Sequence, residues 1–179
     1  MRFSDVTAIP PDAAMNSGLA PCGSSLMNHF GRPGPLRTDC SAVTNARLKA
    51  LLVTRDVGPF RVTGLKPAVE SIERICRRIE QNDKTLYREL KTAGMLCCRL
   101  IRGSRSTFSI HSWGAAIDLY CGSGVVPLGS PRTHIGVLRA YPYFHAENFY
   151  WGAEFSRRDA MHFEASRQLV ADWIAKGLL

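Results

Sequence analysis

Ala68, Val69, Ile72, Ile75, Cys76 and Ile79 recur at three- and four-residue steps behind Pro67. That spacing describes one face of an α-helix, and proline suits its first turn. A helix of this kind must bury its apolar stripe against another element. Glu70, Glu73, Arg74, Arg77, Arg78 and Glu80 fill the remaining positions, a mixed-sign run that reads as a solvated face. The chain has 179 residues, enough for one domain whose core needs no disulfide staples.

The rest of the chain supplies the partners for that stripe. Residues 1–45 are rich in Pro, Gly, Ser and Asn and read as an extension, either wrapped on the domain or partly mobile; His29 to Asp39 is punctuated as a loop. Residues 46–179 form the domain. Leu48, Leu51, Leu52 and Val53 suggest a short helix, Asp56 to Pro59 a turn and Phe60 to Thr63 a strand. Thr85 to Ala93 reads as a second helix with Gly94 as its C-cap. Met95 to Ile101 reads as a strand, Arg102 to Phe108 as a turn, Ala115 to Cys121 as a strand and Gly122 to Pro131 as a loop. Thr133 to Ala140 suggests a short helix, Ala160 to Phe163 a strand and Ser166 to Lys176 a closing helix. Helices, then strands, then a helix imply an α+β fold with a small antiparallel sheet.

No stretch approaches the roughly 20 apolar residues of a membrane-spanning helix, which excludes an integral membrane protein of that type. The formal net charge of +8 favours an anionic partner such as nucleic acid, lipid or bacterial wall. No helix-turn-helix, zinc-finger or base-stacking pattern supports the first of these. The six cysteines include no CxxC pair, and the N-terminus lacks the apolar core of a secretory signal. The cysteines therefore read as mostly reduced, small hydrophobes.

Two segments carry chemistry: Ser109-Ile110-His111-Ser112-Trp113-Gly114-Ala115-Ala116-Ile117-Asp118, and Trp151-Gly152 followed by Asp159-Ala160-Met161-His162-Phe163-Glu164. A catalytic zinc site takes three protein ligands and keeps one position for water. His111, Asp118 and His162 can supply those ligands. Gly114 lets the chain turn between the first two, and Ala115 and Ala116 leave room beside Asp118. The helix-borne HExxH pattern is absent.

Ser109 to Asp118 resembles the SxHxxGxAxD motif of zinc D-alanyl-D-alanine carboxypeptidases and of the related dipeptidases and phage L-alanyl-D-glutamate endopeptidases. Asp159 to Glu164 is similar to the family's second motif, where an acid precedes a zinc-binding histidine by three residues. Cys98 to Gly103 is similar to the arginine-bearing strand before the first motif. The resemblance covers about residues 60–175. It implies a single Zn²⁺ on His111, Asp118 and His162, a catalytic acid/base at Asp159, and a small antiparallel sheet holding the metal, as in hedgehog and D-Ala-D-Ala carboxypeptidase-like folds.

Several roles follow from the chemistry of that reading. Arg99 would stabilise the oxyanion or hold a substrate carboxylate, with Arg102 as its rival, since strand alternation would turn only one of them inward. Ser109 would orient substrate or brace the His111 loop. Glu164 shares a strand face with His162 and would hydrogen-bond it, with the part of an alternative general base as the rival role. Trp113 and Trp151 would pack around the site, and the aromatic run from Tyr141 to Tyr150 would pack the core, with a lid or substrate wall as the alternative. The expected activity is hydrolysis of bacterial peptidoglycan stem peptides by an endolysin-like L-Ala-D-Glu or related endopeptidase. The alternatives are a D-Ala-D-Ala carboxypeptidase or dipeptidase, and a zinc-stabilised wall-binding module. The protein is expected to be monomeric, made in the cytoplasm without a signal peptide, and active at the wall by phage lysis or another export route.

Overall fold

The computed structural model describes residues 1–11 and 15–179. In chain order the elements are β1 (Val6–Ala8), α1 (Ser25–Phe30), α2 (Ala46–Ala50), β2 (Leu52–Asp56), β3 (Arg61–Leu65), α3 (Lys66–Asn82), α4 (Lys84–Glu89) and β4 (Leu90–Gly94). They continue with β5 (Ala116–Cys121), β6 (Arg132–His134), α5 (Ile135–Ala146), β7 (Phe149–Trp151), β8 (His162–Ala165) and α6 (Arg167–Ala175). The fold is α+β. A four-stranded antiparallel sheet in the order β4-β5-β8-β7 is accompanied by two antiparallel pairs, β2-β3 and β1-β6. Among the described residues no helix is long and apolar enough to cross a membrane.

Pro67 stands at the start of α3, and the stripe Ala68, Val69, Ile72, Ile75, Cys76 and Ile79 is wholly buried. The charged face stays outside and pairs with itself and its surroundings: Arg55 bridges Glu70 and Glu73, Arg77 bridges Glu73, and Arg74 and Arg78 both reach Glu147. Leu26 and Cys22 of the N-terminal stretch are also fully buried, and Phe30 and Val43 join the same core cluster. The Asn16 side chain bonds both the N–H and the C=O of Trp151 (2.8 and 3.0 Å), in the manner of an extra strand residue.

Three local expectations are corrected. The helix at Leu48 ends at Ala50, and Leu52 and Val53 belong to β2, where they pair with Leu65 and Gly64 of the hairpin. The second helix stops at Glu89: Leu90 to Gly94 pairs with β5, and tertiary pairing overrides local propensity. Met95 to Ile101 is not a strand. It makes only isolated bridges, Ser41 with Cys98 and Leu100 with Phe108. The reading of the cysteines holds for four of six. Cys22, Cys76, Cys98 and Cys121 are free and buried, but Cys40 and Cys97 are disulfide-bonded. Cys97 and Cys98 do diverge: one turns toward Cys40, and the other packs inward, fully buried.

Burial pushes the thiols of Cys22 and Cys76 up to about 12, which suppresses the reactive thiolate. Unreduced protein should therefore show little thiol reaction while folded. A thiol-reactive chromophore should count four thiols after denaturation alone and six after denaturation with reduction. A count of six without reductant would refute the disulfide.

Candidate metal centre

The site is assembled by strand register. On β5 and β8, Asp118 stands directly opposite His162, Ile117 opposite Phe163, and Ala116 opposite Glu164. Side chains alternate along a strand, so Ala116, Asp118, His162 and Glu164 share one face. Ile117, Leu119, Phe163 and Ala165 take the other and are fully buried. There Phe163 stacks on Trp151 and packs against Phe144. Opposite Asp118 the register of β4 shifts between Thr92 and Gly94. Thr92 braces this bulge, its hydroxyl donating to the Asp118 carbonyl (2.8 Å) and accepting from the Gly94 N–H (3.0 Å). Bulges of this kind re-aim side chains at site edges.

His111 arrives differently, from a 3-10 turn spanning Ile110–Trp113 that Gly114 closes in the left-handed region (φ 66°). A Cβ on Gly114 would lie 2.7 Å from the Gly64 Cα and 2.8 Å from the Leu65 nitrogen. The Gly114 carbonyl also accepts from the Leu65 N–H at 2.8 Å. Glycine is required here both for its conformation and for its close approach to β3.

Three ligand-type atoms meet. His111 Nε2 lies 3.1 Å from Asp118 Oδ1 and 3.1 Å from His162 Nδ1, and His162 Nδ1 lies 3.2 Å from Asp118 Oδ1. The outer nitrogen of each ring is occupied: His111 Nδ1 meets the Met95 carbonyl at 2.8 Å and His162 Nε2 meets Glu164 at 2.9 Å. Both outer partners are acceptors, so each ring donates outward and, when neutral, turns a bare nitrogen inward. Glu164 is held in turn by the backbone N–H of Cys22 (2.8 Å). Ligand bonds of 2.0–2.1 Å at tetrahedral angles place neighbouring donors roughly 3.3 Å apart. The observed triangle thus fits a small divalent ion, as does its nitrogen and carboxylate chemistry.

The electrostatics agree. Burial would raise the Asp118 carboxyl, but hydrogen bonds with His111 and His162 outweigh it and hold the group well below the ordinary range. Burial would depress His162, yet Asp118 and Glu164 raise it well above the usual imidazole value. Without a metal the triangle therefore retains a proton. Burial raises Asp159; the positive field of His162 opposes that shift and the charge of Asp118 adds to it. The Asp159 N–H donates to the Gly152 carbonyl and its own carbonyl accepts from the His162 N–H, so the stretch from Gly152 to His162 is tied together.

The other expected residues fall as follows. Arg99 is half-buried, and its guanidinium donates to the Leu100 carbonyl (3.1 Å). Arg102 is exposed at the turn closed by the Ser104 N–H on the Ile101 carbonyl. With no strand there, alternation does not decide between the two. Ser109 is buried at the start of the 3-10 turn, and its N–H donates to the Arg99 carbonyl. Trp113 and Trp151 are buried, their indole N–H groups donating to Gly31 and Ala160 carbonyls. Sequence reasoning missed the Met95 carbonyl and the Cys22 N–H, which are backbone groups without a residue signature. It also missed Phe155, whose ring lies 5.6 Å from that of His162. A cleft of about 250 Å³ flanks the turn, lined by Ser24, Met27, Ser106, Thr107, Phe108 and Trp113.

Replacing Gly114 by alanine should cost about 1–3 kcal/mol for the left-handed backbone, with more from the collision at Gly64. Equilibrium denaturation checks this; unchanged stability would mean that the turn is not built as described.

No curated protein matches the chain. Residues 102–165 match the family model described as D-alanyl-D-alanine carboxypeptidase, a span that contains His111, Asp118, Asp159, His162 and Glu164. Over that span, which is less than half of the chain and contains the cluster, the protein is similar to the D-alanyl-D-alanine carboxypeptidase family of peptidases.

Proposed function

We propose that the protein is a zinc-dependent endopeptidase acting on bacterial peptidoglycan stem peptides, with the L-Ala-D-Glu bond as its target. The observation that carries this reading is the triangle of His111 Nε2, Asp118 Oδ1 and His162 Nδ1, with sides of 3.1, 3.1 and 3.2 Å. Three such atoms at that spacing need positive charge among them, a shared proton in the metal-free protein or a bound cation in its place. His111, Asp118 and His162 are the residues that would hold it. When bound, zinc supplies Lewis acidity, bringing the pKa of a water to about 7 and polarising the scissile carbonyl.

The protein's own groups do the rest. Asp159 takes the proton of the attacking water and passes it to the departing amine, and the upward push of burial suits a group that must both accept and donate. Glu164 accepts the Nε2–H of His162 and keeps its inner nitrogen aimed at the ion. Arg99, joined through its backbone to Ser109 and Ser112, is the cation assigned to the oxyanion or to a substrate carboxylate. Arg102 lies farther out and would meet substrate only at the rim. Ser109 orients the substrate backbone. The basic surface suits an anionic wall as the place of action.

The decisive test is mass spectrometry of purified muropeptides after incubation with the zinc-loaded protein. New termini at L-Ala and D-Glu are expected, and loss of terminal D-Ala would instead support a carboxypeptidase. Intact muropeptides bound by zinc-loaded protein would favour the wall-binding module. Asp159→Ala should lower turnover about 10²–10⁴-fold while leaving bound zinc in place; an active variant would overturn its role.

Metal uptake should also release protons at neutral pH, because His162 holds one in the metal-free protein. Zinc affinity should accordingly rise with pH. Titration calorimetry in buffers of different ionisation enthalpy reads the proton count, and an enthalpy independent of buffer would contradict it.

A further inference from the structure

Asp118 and His162 sit on strands paired in register, but His111 does not. Its orientation depends on the Met95–Arg99 stretch. The Met95 carbonyl accepts from Nδ1 of the ring (2.8 Å), and the Cys97 N–H donates to the His111 carbonyl (3.0 Å). The Ser112 hydroxyl, one residue on, donates to the Arg99 carbonyl (2.9 Å) and accepts from its N–H (3.1 Å). This stretch is irregular and has no ladder to set its register.

On its other side it is tied to residues 37–41. Leu100 N–H donates to the Arg37 carbonyl (2.7 Å), Ser41 donates to the Cys98 carbonyl from both its N–H and its hydroxyl (2.9 Å each), and Cys40 is bonded to Cys97. The covalent tie falls on the residue whose N–H holds the His111 backbone, two residues from the carbonyl that holds its ring.

We infer that the Cys40–Cys97 disulfide is a positioning element for His111, and that it makes the cation affinity of the His111–Asp118–His162 cluster depend on thiol redox state. The inference rests on the cluster being the metal site proposed above. Oxidation removes two protons and two electrons from the two thiols and forms the S–S bond. A disulfide in the surroundings takes up those electrons and protons, and its own S–S bond breaks to give two thiols. Cys40 is exposed and Cys97 half-buried, so this exchange can reach them. The four free cysteines are buried and do not compete. In the reduced chain the stretch loses its covalent anchor, and the Met95 carbonyl no longer fixes which nitrogen of His111 faces inward.

The test uses the full chain in three states: oxidised, reduced and freed of reductant, and reoxidised. Zn²⁺ affinity is measured by competition with a chromogenic chelator, and the visible spectrum of bound Co²⁺ reports the ligand set. Cys40→Ser and Cys97→Ser serve as permanent reduced forms, and Cys76→Ala controls for loss of a buried sulfur distant from the site. Thermal unfolding of each sample confirms that it is folded at the measuring temperature. If a serine variant fails to fold, the reduction and reoxidation cycle makes the same comparison in the native sequence.

Reduction or either serine substitution should weaken Zn²⁺ binding about 10–100-fold, the usual effect of losing an outer partner of a metal-bound histidine. The Co²⁺ bands should weaken or shift, and reoxidation should restore both. Equal affinity and identical spectra in oxidised and reduced protein would overturn the inference and leave the metal site standing. Failure of the oxidised chain to bind either ion would overturn the metal reading and this inference with it.

Discussion

Two imidazole nitrogens and a carboxylate oxygen held 3.1–3.2 Å apart form an arrangement that repels itself unless positive charge lies among its members. Much of the surrounding structure keeps those atoms converged. The outer nitrogens are committed to Met95 and Glu164, so the rings cannot turn away without losing buried hydrogen bonds. The opposite face of the same strands is fixed by Phe163, Trp151 and Phe144, and a slip of one residue would exchange that aromatic packing for the polar face. Register, packing and polar convergence are thus one constraint seen from different sides.

The N-terminal stretch takes part in this constraint. Cys22 holds Glu164 through its backbone, Asn16 completes the hydrogen bonding of Trp151, and Leu26 is buried in the common core. The basic charge is unevenly handled. On α3 the arginines are matched by Glu70, Glu73 and Glu147. Such exposed pairs contribute little to stability, but they keep that face near neutrality. The excess positive charge therefore belongs to other surfaces.

Much of the site was legible because its residue types are rare in combination. His111, Asp118 and His162 were picked out by chemistry and motif, and they are brought together. Gly114 was expected to turn the chain, and it does so at φ 66°. The stripe on α3 was legible because burial of one helical face writes a period into the sequence. Leu90 to Ala93 was misread as the end of a helix capped by Gly94, because the strand character of Leu90 to Gly94 comes from pairing with Asp118 to Cys121. Met95 to Ile101 was misread as strand, because its apolar content reflects burial of Met95, Cys98 and Leu100 and not a ladder. The disulfide was missed because residues separated by 57 positions carry no local sign of being neighbours.

The sequence by itself determined the helical stripe, the glycine turn and the identity of three converging side chains. Each is encoded in local spacing or in side-chain chemistry. Only the tertiary structure decided which nitrogen of each histidine faces inward, which backbone groups enforce that choice, and which two cysteines join. Those outcomes depend on distances between segments remote in the chain, set by register across β5 and β8 and by the packing of residues 15–45 against them.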